Sequence, residues 1–396
     1  QRTGELLLSL MEVVDARFFM PAAMLARILR LADPVVTCST GRLRFEAFSQ
    51  CCGAYARVDL LENALDGDLL NPGTTNVDFN PPMRAALARL KDTHAASLTV
   101  GADHVELSSP RAEVVERKVK LPTRWLRGLV EVQAVQARMR PALEASGAAL
   151  RRLLQELRPN KNLTYVSAAG PALRVSSTAS PGAIPIGGLD RLKVLTRAVR
   201  HAERLEISTD DVTGASAWSI HTPDARFQYL LSPDPSRGFS GEGQVLETLN
   251  EGPSSALGAV RAALRWQSRL DPSSLASASG HPLPQIERAL ATCAASGLLG
   301  YDLSDHSYFH RELPFDLSLI LKHQSRLANA TALNAEGDAV EFDAPQQAWV
   351  ASNGKRYRVW LGPEPRCTCP WIAKHGSSRG PCKHILAAQA AQRKAH

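Results

Sequence analysis

Four potential metal ligands stand in two close pairs near the end of this 396-residue chain. One residue separates Cys367 from Cys369, twelve residues follow, and one residue separates Cys382 from His384. Three thiolates and an imidazole suit tetrahedral Zn²⁺, and four protein ligands leave no open position for a substrate. The spacing therefore predicts one structural Zn²⁺ ion. The alternatives are reduced cysteines without a metal and an iron–sulfur cluster, which usually takes four cysteines.

The residues around the two pairs predict the local fold of this zinc module. Asn353-Gly354 is a strong turn signal that joins two predicted strands, Trp349–Ser352 and Arg356–Leu361. Pro370, directly after the first pair, stops the strand ladder. The second pair falls at the start of a predicted helix, Ile385–Arg393, whose dipole favours a thiolate at its N-terminus. Two strands followed by a helix predict a ββα zinc finger.

Positive charge is concentrated in the same module. The net charge of the chain is +7, and the segment from Ala351 onward carries nine basic residues and one acidic residue, Glu364. The other 350 residues carry 37 basic and 38 acidic groups. We expect six basic side chains to form one surface that binds nucleic acid phosphates; the alternative is that the charge only keeps the module soluble or pairs with an acidic protein partner. The six are Lys355, Arg356, Arg358, Lys374, Arg379 and Lys383.

The module resembles the SWIM zinc finger, a ββα element with the pattern Cys-x-Cys, spacer, Cys-x-His. The resemblance includes Tyr357-Arg358-Val359 before the first pair, Lys383 inside the second pair, and Ile385-Leu386 after it. The rest of the chain is similar to bacterial proteins that carry this module at the C-terminus, through Phe48–Gly53, Gly73–Asn80 and Tyr308–Arg311. Such proteins are often associated with a MoxR-type AAA+ ATPase and a von Willebrand A-domain protein. The resemblance therefore implies an adaptor with partners of these two kinds.

Upstream of the module, the apolar pattern predicts an α+β multidomain protein. Residues 1–40 show helical spacing, with a second helix starting at Pro21. Residues 41–160 and 161–240 each predict a helix with short strands, so we expect a duplicated helix-plus-sheet scaffold. Its outline resembles one module of a ring-shaped DNA sliding clamp. Within it the pattern predicts a loop over Asp66–Thr75 and helices over Ala134–Leu157 and Leu189–His201.

Residues 241–315 predict a winged-helix-like domain, and residues 316–396 form the predicted SWIM module. The predicted order in the former is three helices and a hairpin, with the first helix over Ser254–Leu270 and the third over Pro282–Ser296. Helices that read a DNA groove are usually basic. The third helix offers only Gln285, Glu287 and Arg288, so we expect this domain to pack against protein, with DNA readout as the alternative.

Other residues allow both a functional and a structural interpretation. Cys51-Cys52 is a redox pair or, as we favour, part of the core. A polar group around the predicted hairpin is a second metal site or, as we favour, an ordinary hairpin tip. We expect His375, in the spacer, to be a surface residue and not a zinc ligand. The polar group consists of Asp302, Asp305, His306 and His310.

Composition and the missing motifs narrow the class of protein. Hydrophobic residues make up 44% and charged residues 21%, as in ordinary globular proteins. No apolar run approaches the roughly 20 residues that cross a bilayer, and seven cysteines, an odd number, do not suggest a secreted disulfide framework. The sequence has no nucleotide-binding loop, zinc-protease motif or serine-hydrolase motif. We therefore expect a cytoplasmic binding protein and not an enzyme.

Overall fold

A computed structural model of the chain describes residues 1–19, 34–67, 70–93, 95–314 and 324–395. We call residues 1–314 the body and residues 324–395 the finger module. The predicted mixture of helices and strands is confirmed. The α-helices of the described ranges are α1 (Arg2–Asp15), α2 (Pro81–Ala88), α3 (Thr123–Gln136), α4 (Gly147–Glu156), α5 (Leu246–Asn250), α6 (Leu257–Ala262), α7 (Pro272–Ser279), α8 (Leu283–Ala295), α9 (Ser325–Ala335), α10 (Pro370–His375) and α11 (Lys383–Ala395).

The strands alternate with these helices along the chain. None of the helices in the described ranges is long and apolar enough to cross a membrane. The strands are β1 (Val35–Ser39), β2 (Arg42–Phe48), β3 (Ala54–Leu61), β4 (Gly73–Asn76), β5 (Ser97–Val100), β6 (His104–Ser109), β7 (Ala112–Arg117), β8 (Arg140–Ser146), β9 (Leu163–Ala169), β10 (Ala172–Ser176), β11 (Ile184–Gly187), β12 (Arg204–Thr209), β13 (Ser216–His221), β14 (Ala225–Leu231), β15 (Leu299–Asp302), β16 (Ser307–His310), β17 (Val340–Ala344), β18 (Gln347–Ser352), β19 (Lys355–Trp360) and β20 (Arg366–Cys367).

An eight-stranded antiparallel sheet organises the body. Its strand order is β4-β1-β2-β3-β14-β13-β12-β8, and β3 pairs with β14 at its centre, with Ala54 opposite Leu231. Strands from the two predicted modules, 41–160 and 161–240, therefore share one sheet and one hydrophobic core. The division of the chain into five domains stays a prediction.

The central strands of this sheet are buried on both faces because different elements cover each face. Side chains alternate along β3, so Ala56 and Val58 point to one face and Arg57 and Asp59 to the other. The apolar face packs against α1. The polar face is covered by the β15–β16 hairpin, which inserts Asp302 between the arginines of the sheet.

Asp302 is fully buried and lies at the centre of an ionic network. Its carboxylate is 2.8 Å from Arg44 Nη2 and 3.0 Å from Arg57 Nη2, and Arg42 and Arg226 also contact it. Burial opposes its ionisation, but Arg57 and Arg44 hold the pKa of Asp302 well below its usual range. Asp305 pairs with Arg42 and Arg226 in the same network. Both aspartates of the candidate second metal site therefore bind arginines.

Three predictions of local structure were wrong. The predicted helix over Ala134–Leu157 is interrupted by β8, because this segment pairs with β12 at the sheet edge. Val35–Ser39 is a strand and not helical, since its β-branched residues pair with both β2 and β4. The loop predicted over Asp66–Thr75 ends early, because Gly73 already begins β4. The second helix predicted from Pro21 lies outside the described residues.

Two more predicted helices are shorter or tighter than the pattern suggested. The segment Leu189–His201 forms two 3₁₀ helices and not one α-helix. The helix predicted over Ser254–Leu270 is α6, which ends at Ala262; Trp266 beyond it has a φ of 61°, which no α-helix accommodates. The following helices, α7 and α8, and the β15–β16 hairpin lie where the sequence predicts them.

The finger module has its own small core beside the body. Its sheet has the order β17-β18-β19-β20, and the predicted β18–β19 hairpin turns through Asn353 and Gly354, both with positive φ. Helix α11 packs on one face of this sheet and buries Val350, Val359 and Leu386. The predicted ββα element is present, and α9, β17 and α10 extend it.

Candidate metal centre and basic faces of the finger module

Backbone bends bring the two ligand pairs together. Cys367 ends β20, where it pairs with Val359 of β19. Cys369 is the residue before α10, and Pro370 takes the first position of that helix, where its missing N–H costs nothing. Cys382 directly precedes α11, and His384 lies in the first turn of α11. The short helix α10 in the spacer was not predicted.

The four ligand atoms lie close enough to surround one ion. The Sγ atoms of the three cysteines and a ring nitrogen of His384 all lie within 4.8 Å of one another, and all four residues are buried. His384 Nδ1 is 3.8 Å from Cys367 Sγ and 3.9 Å from Cys382 Sγ. Metal–ligand bonds of about 2.0–2.3 Å produce ligand separations of this size in a tetrahedron. The site fits one structural zinc ion, and it is the one such group in the described part of the chain.

Local interactions prepare the thiols for a metal. The backbone N–H of Ile385 donates to Cys382 Sγ at 3.5 Å, so this sulfur caps the start of α11. Hydrogen bonds from the thiols of Cys367 and Cys382 lower the pKa of the Cys369 thiol, which favours the thiolate that binds a metal. Zinc bound here would tie the end of β20 to the start of α11.

The imidazole ring of His384 is fixed by its neighbours. The Tyr357 ring stacks on it, with 4.4 Å between the centroids and 24° between the planes. Because Nδ1 points toward the sulfur atoms, Nε2 points away; it is buried and has no hydrogen-bond partner among the described residues. His375 is not part of the cluster; it is half-buried, and its ring centroid lies 4.6 Å from that of Trp371.

The sheet face opposite α11 carries arginines and tryptophans. Trp349 of β18 stands directly opposite Arg358 of β19. The guanidinium groups of Arg356 and Arg358 lie 5.4 Å and 5.2 Å from the centroid of the Trp349 ring. Arg358 also lies 5.7 Å from the ring of Trp360. Arg356 and Arg358 therefore share one face, as alternation predicts; we call this the outer face.

Two carboxylates of β17 accompany these arginines. Arg356 forms an ion pair with Glu341, and Arg358 lies 3.1 Å from a carboxylate oxygen of Asp343. Both acids precede the segment in which the sequence concentrates positive charge. Counted from Gln324, the described finger module carries ten basic and five acidic residues. Its excess of positive charge is therefore smaller than the count from Ala351 indicates.

The other predicted basic residues are distributed over different parts of the module. Lys355, at the start of β19, is exposed. Lys374 is exposed at the end of α10, and Lys383 is half-buried at the start of α11. Arg379 does not face the outer sheet but the body, where its Nη2 donates to Gly241 O at 3.2 Å. The structure thus brings Arg356 and Arg358 together and places Arg379 at the contact with the body.

The sequence did not point to several residues that contact the zinc spacer or the predicted basic side chains. Arg326 of α9 contacts the spacer before Cys382, and Trp371 of α10 lies against it. Arg326 stands 41 residues before the first ligand, and no local pattern marks it. Glu341 and Asp343 were also missed, although strand alternation puts both on one face of β17.

Comparison with known proteins agrees with the predicted finger. Residues 357–388 match the SWIM zinc finger family, which confirms the resemblance of the Cys-x-Cys and Cys-x-His pattern. No curated protein matches the chain. Among solved structures, the proliferating cellular nuclear antigen from Entamoeba histolytica is 11% identical, with a TM-score of 0.40; the match covers 59% of this chain and 94% of that one. The PCNA2–PCNA3 complex from Sulfolobus tokodaii is 8% identical, with a TM-score of 0.41, covering 59% and 96%.

Proposed function

We propose that the protein is a zinc-stabilised binding adaptor and not an enzyme, and that its finger module binds nucleic acid through the outer face. The observation that carries this proposal is the placement of Arg356 and Arg358 over Trp349 on a solvent-facing sheet surface. Arginines bind phosphates, and a tryptophan ring offers a surface on which a base can stack. Combining the two favours binding to the backbone and bases of a single strand without sequence preference.

Zinc has a structural role in this proposal. It fixes Cys367 beside Val359 and so holds the end of β20 against β19, the strand that carries both arginines. The four protein ligands leave no position for catalysis. The body then acts as a cytoplasmic scaffold for partners.

A salt titration of nucleic acid binding tests the outer face. We expect weak binding of single-stranded DNA and RNA, with log K falling by about 0.7 per log unit of salt for each phosphate contact. The double variant Arg356→Gln/Arg358→Gln should bind more weakly and reduce the salt slope by about 1.4, for two contacts. Arg151→Gln/Arg152→Gln, at two exposed arginines of α4, makes the same charge change in the body and serves as the control.

The second candidate is a protein-binding subunit of an ATPase-linked complex with no nucleic acid contact. The ion pairs of Arg356 with Glu341 and Arg358 with Asp343 favour it, because both arginines already have carboxylate partners. If the protein binds no nucleic acid at low salt, or if the Arg356/Arg358 variant binds as the wild type does, this second candidate is favoured over nucleic acid binding. A MoxR-type AAA+ ATPase and a von Willebrand A-domain protein are its proposed partners, and co-purification from the native host tests them.

We also propose that residues 241–315 form a winged-helix-like protein-binding domain. Its α8 presents Gln285, Glu287 and Arg288, and Arg288 lies 3.6 Å from Glu251, which lowers the positive charge of this helix further. A complex with DNA in which Gln285 or Arg288 contacted base edges would overturn this assignment.

A further inference from the structure

Arg326, in the first turn of α9, joins the zinc spacer to the body. Its Nη1 donates to Arg379 O at 2.6 Å and to Pro381 O at 3.0 Å, and it lies 3.4 Å from Gly380 O. Its Nη2 donates to Glu242 O at 3.0 Å. One guanidinium group therefore fixes three consecutive peptides that lead directly into the ligand Cys382 and connects them to the body.

Aromatic stacking adds to this contact. The guanidinium of Arg326 lies 4.4 Å from the centroid of the Trp371 ring, and that of Arg379 lies 5.5 Å from it. Trp371 follows Cys369 by two residues, so Arg326 contacts the spacer near both of its ends. Residue Ser378 extends the contact, because its carbonyl accepts hydrogen bonds from Arg237 and Gln244 of the body.

Two glycines let the backbones meet closely. Gly243 and Gly380 both have positive φ, at +79° and +67°. A Cβ atom on Gly380 would overlap Gly243 O, and a Cβ atom on Gly243 would overlap Arg326 Nη2. A side chain at position 380 would therefore separate the spacer from the body, and one at position 243 would displace the guanidinium of Arg326.

We propose that Arg326 is a positioning residue for the zinc site, and that zinc binding and docking of the spacer on residues 237–245 are coupled. Arg326 and its body partners lie outside residues 357–388, the segment that matches the SWIM family. The physical basis is preorganisation: Arg326 orders the chain before Cys382, so zinc binding loses less conformational entropy. Coupling is reciprocal, so zinc in turn holds the spacer in the conformation that docks.

Zinc affinity of the full chain tests the role of Arg326. In a chelator competition at fixed pH, we expect Arg326→Met to bind zinc about tenfold more weakly than the wild type, the lower end of the effect of residues around metal ligands. Arg151→Met, at an exposed arginine of α4, is the control and should bind as the wild type does. Thermal unfolding of the same samples shows whether the body stays folded. Unchanged zinc affinity in a folded Arg326→Met protein overturns the proposal.

A pair of glycine variants separates coupling from loss of folding. Gly243→Ala and Gly252→Ala introduce the same strain, because both residues have a φ near +80°, but nothing lies within 4 Å of a Cβ at Gly252. Only Gly243→Ala pushes against Arg326, so only it should weaken zinc binding. Zinc removal from the wild type should also increase hydrogen exchange at residues 237–245. Equal zinc affinities of the two variants, or exchange that does not respond to zinc, contradict the coupling.

Discussion

Cys382 has two structural roles. Its sulfur belongs to the four-ligand cluster and also accepts the N–H of Ile385 at the start of α11. Replacing it removes a metal ligand and a helix cap together. The same residue directly follows the three peptides that Arg326 holds, so the metal centre, the helix start and the contact with the body meet at one position.

The first prediction concerns the metal content of a Cys382→Ser variant. The wild type should contain one equivalent of zinc per chain, and Cys382→Ser should lose it, because a hydroxyl is a poor ligand for zinc. Elemental analysis of freshly purified, reduced protein measures this. Cys38→Ser is the control, since Cys38 lies in β1 of the body and outside the cluster. Wild-type protein without zinc would falsify the assignment of the site.

Glu131 is a buried carboxyl close to the contact between body and finger module. Its Oε2 accepts the N–H of Gln244 at 2.6 Å, and its Oε1 lies 3.3 Å from Gln324 Nε2. Burial raises its pKa to about 7; the hydrogen bond from Gln244 and the charge of Arg326 lower it, and the charge of Glu242 raises it. A carboxyl group whose pKa is raised on folding stabilises the protein at low pH relative to high pH.

The second prediction is a pH dependence that Glu131→Gln removes. In the wild type the contribution of Glu131 to stability is fully present below about pH 4.5 and is lost as pH rises through about 7. Relative to the wild type, Glu131→Gln should therefore gain stability between pH 5 and pH 8, by an amount on the order of 3 kcal/mol. Urea unfolding at pH 5 and pH 8 measures the difference. A stability difference between variant and wild type that is the same at both pH values contradicts this assignment.

At the scale of elements, β17 sets the charge of the outer face. Its Glu341 and Asp343 pair with the two arginines proposed to bind phosphates. Exposed ion pairs of this kind contribute about 0–1 kcal/mol each, so phosphates can replace the carboxylates. In the proposed nucleic acid complex, the two carboxylates of β17 compete with the phosphates for Arg356 and Arg358.

The third prediction follows from that competition. Glu341→Gln/Asp343→Asn should strengthen nucleic acid binding several-fold at low salt, because the arginines lose their internal partners. Glu336→Gln/Asp338→Asn makes the same change of charge at two exposed residues between α9 and β17. Fluorescence anisotropy with a short single strand compares the two. If both variants strengthen binding equally, net charge alone is responsible and β17 has no specific role.

The elements also show how far the sequence determines this fold. The finger was predictable because its information is local: ligand spacing, the Asn353-Gly354 turn and the apolar pattern of α11 lie within one segment. Strand β8 was not, because its partner β12 lies about 60 residues away and its own pattern also suits a helix. The contacts of Arg326 could not be predicted for the same reason, since its partners are backbone carbonyls far away in the sequence.

For the whole molecule, the finger module and the large sheet have separate cores, and a third, small cluster joins α6 and α8. The separate cores of the finger and the sheet imply separate responses to zinc. The finger core contains the three cysteine ligands, whereas the core of the large sheet contains residues from α1 to Leu313. We expect zinc removal to lower the unfolding temperature of the finger module and to leave the main unfolding transition of the body unchanged. The effect on the body should be confined to faster hydrogen exchange at residues 237–245. Differential scanning calorimetry with and without a chelator measures both transitions.

The last prediction concerns Asp302, which connects the β15–β16 hairpin to the large sheet. Its carboxylate is buried among Arg42, Arg44, Arg57 and Arg226, so Asp302→Asn leaves these charges without their central partner. Removing one member of such a buried network costs about 3–5 kcal/mol, and we expect a loss of this size in urea unfolding at pH 7. Because the folded-state pKa of Asp302 is lowered, its stabilising effect is present above its ordinary pKa of 3.8 and is lost as pH falls further. The difference in free energy of unfolding between variant and wild type should therefore become smaller in acid.

Asp211→Asn, at an exposed aspartate, is the control and should cost less than about 0.5 kcal/mol. A similar cost for both variants would show that the hairpin does not depend on this network.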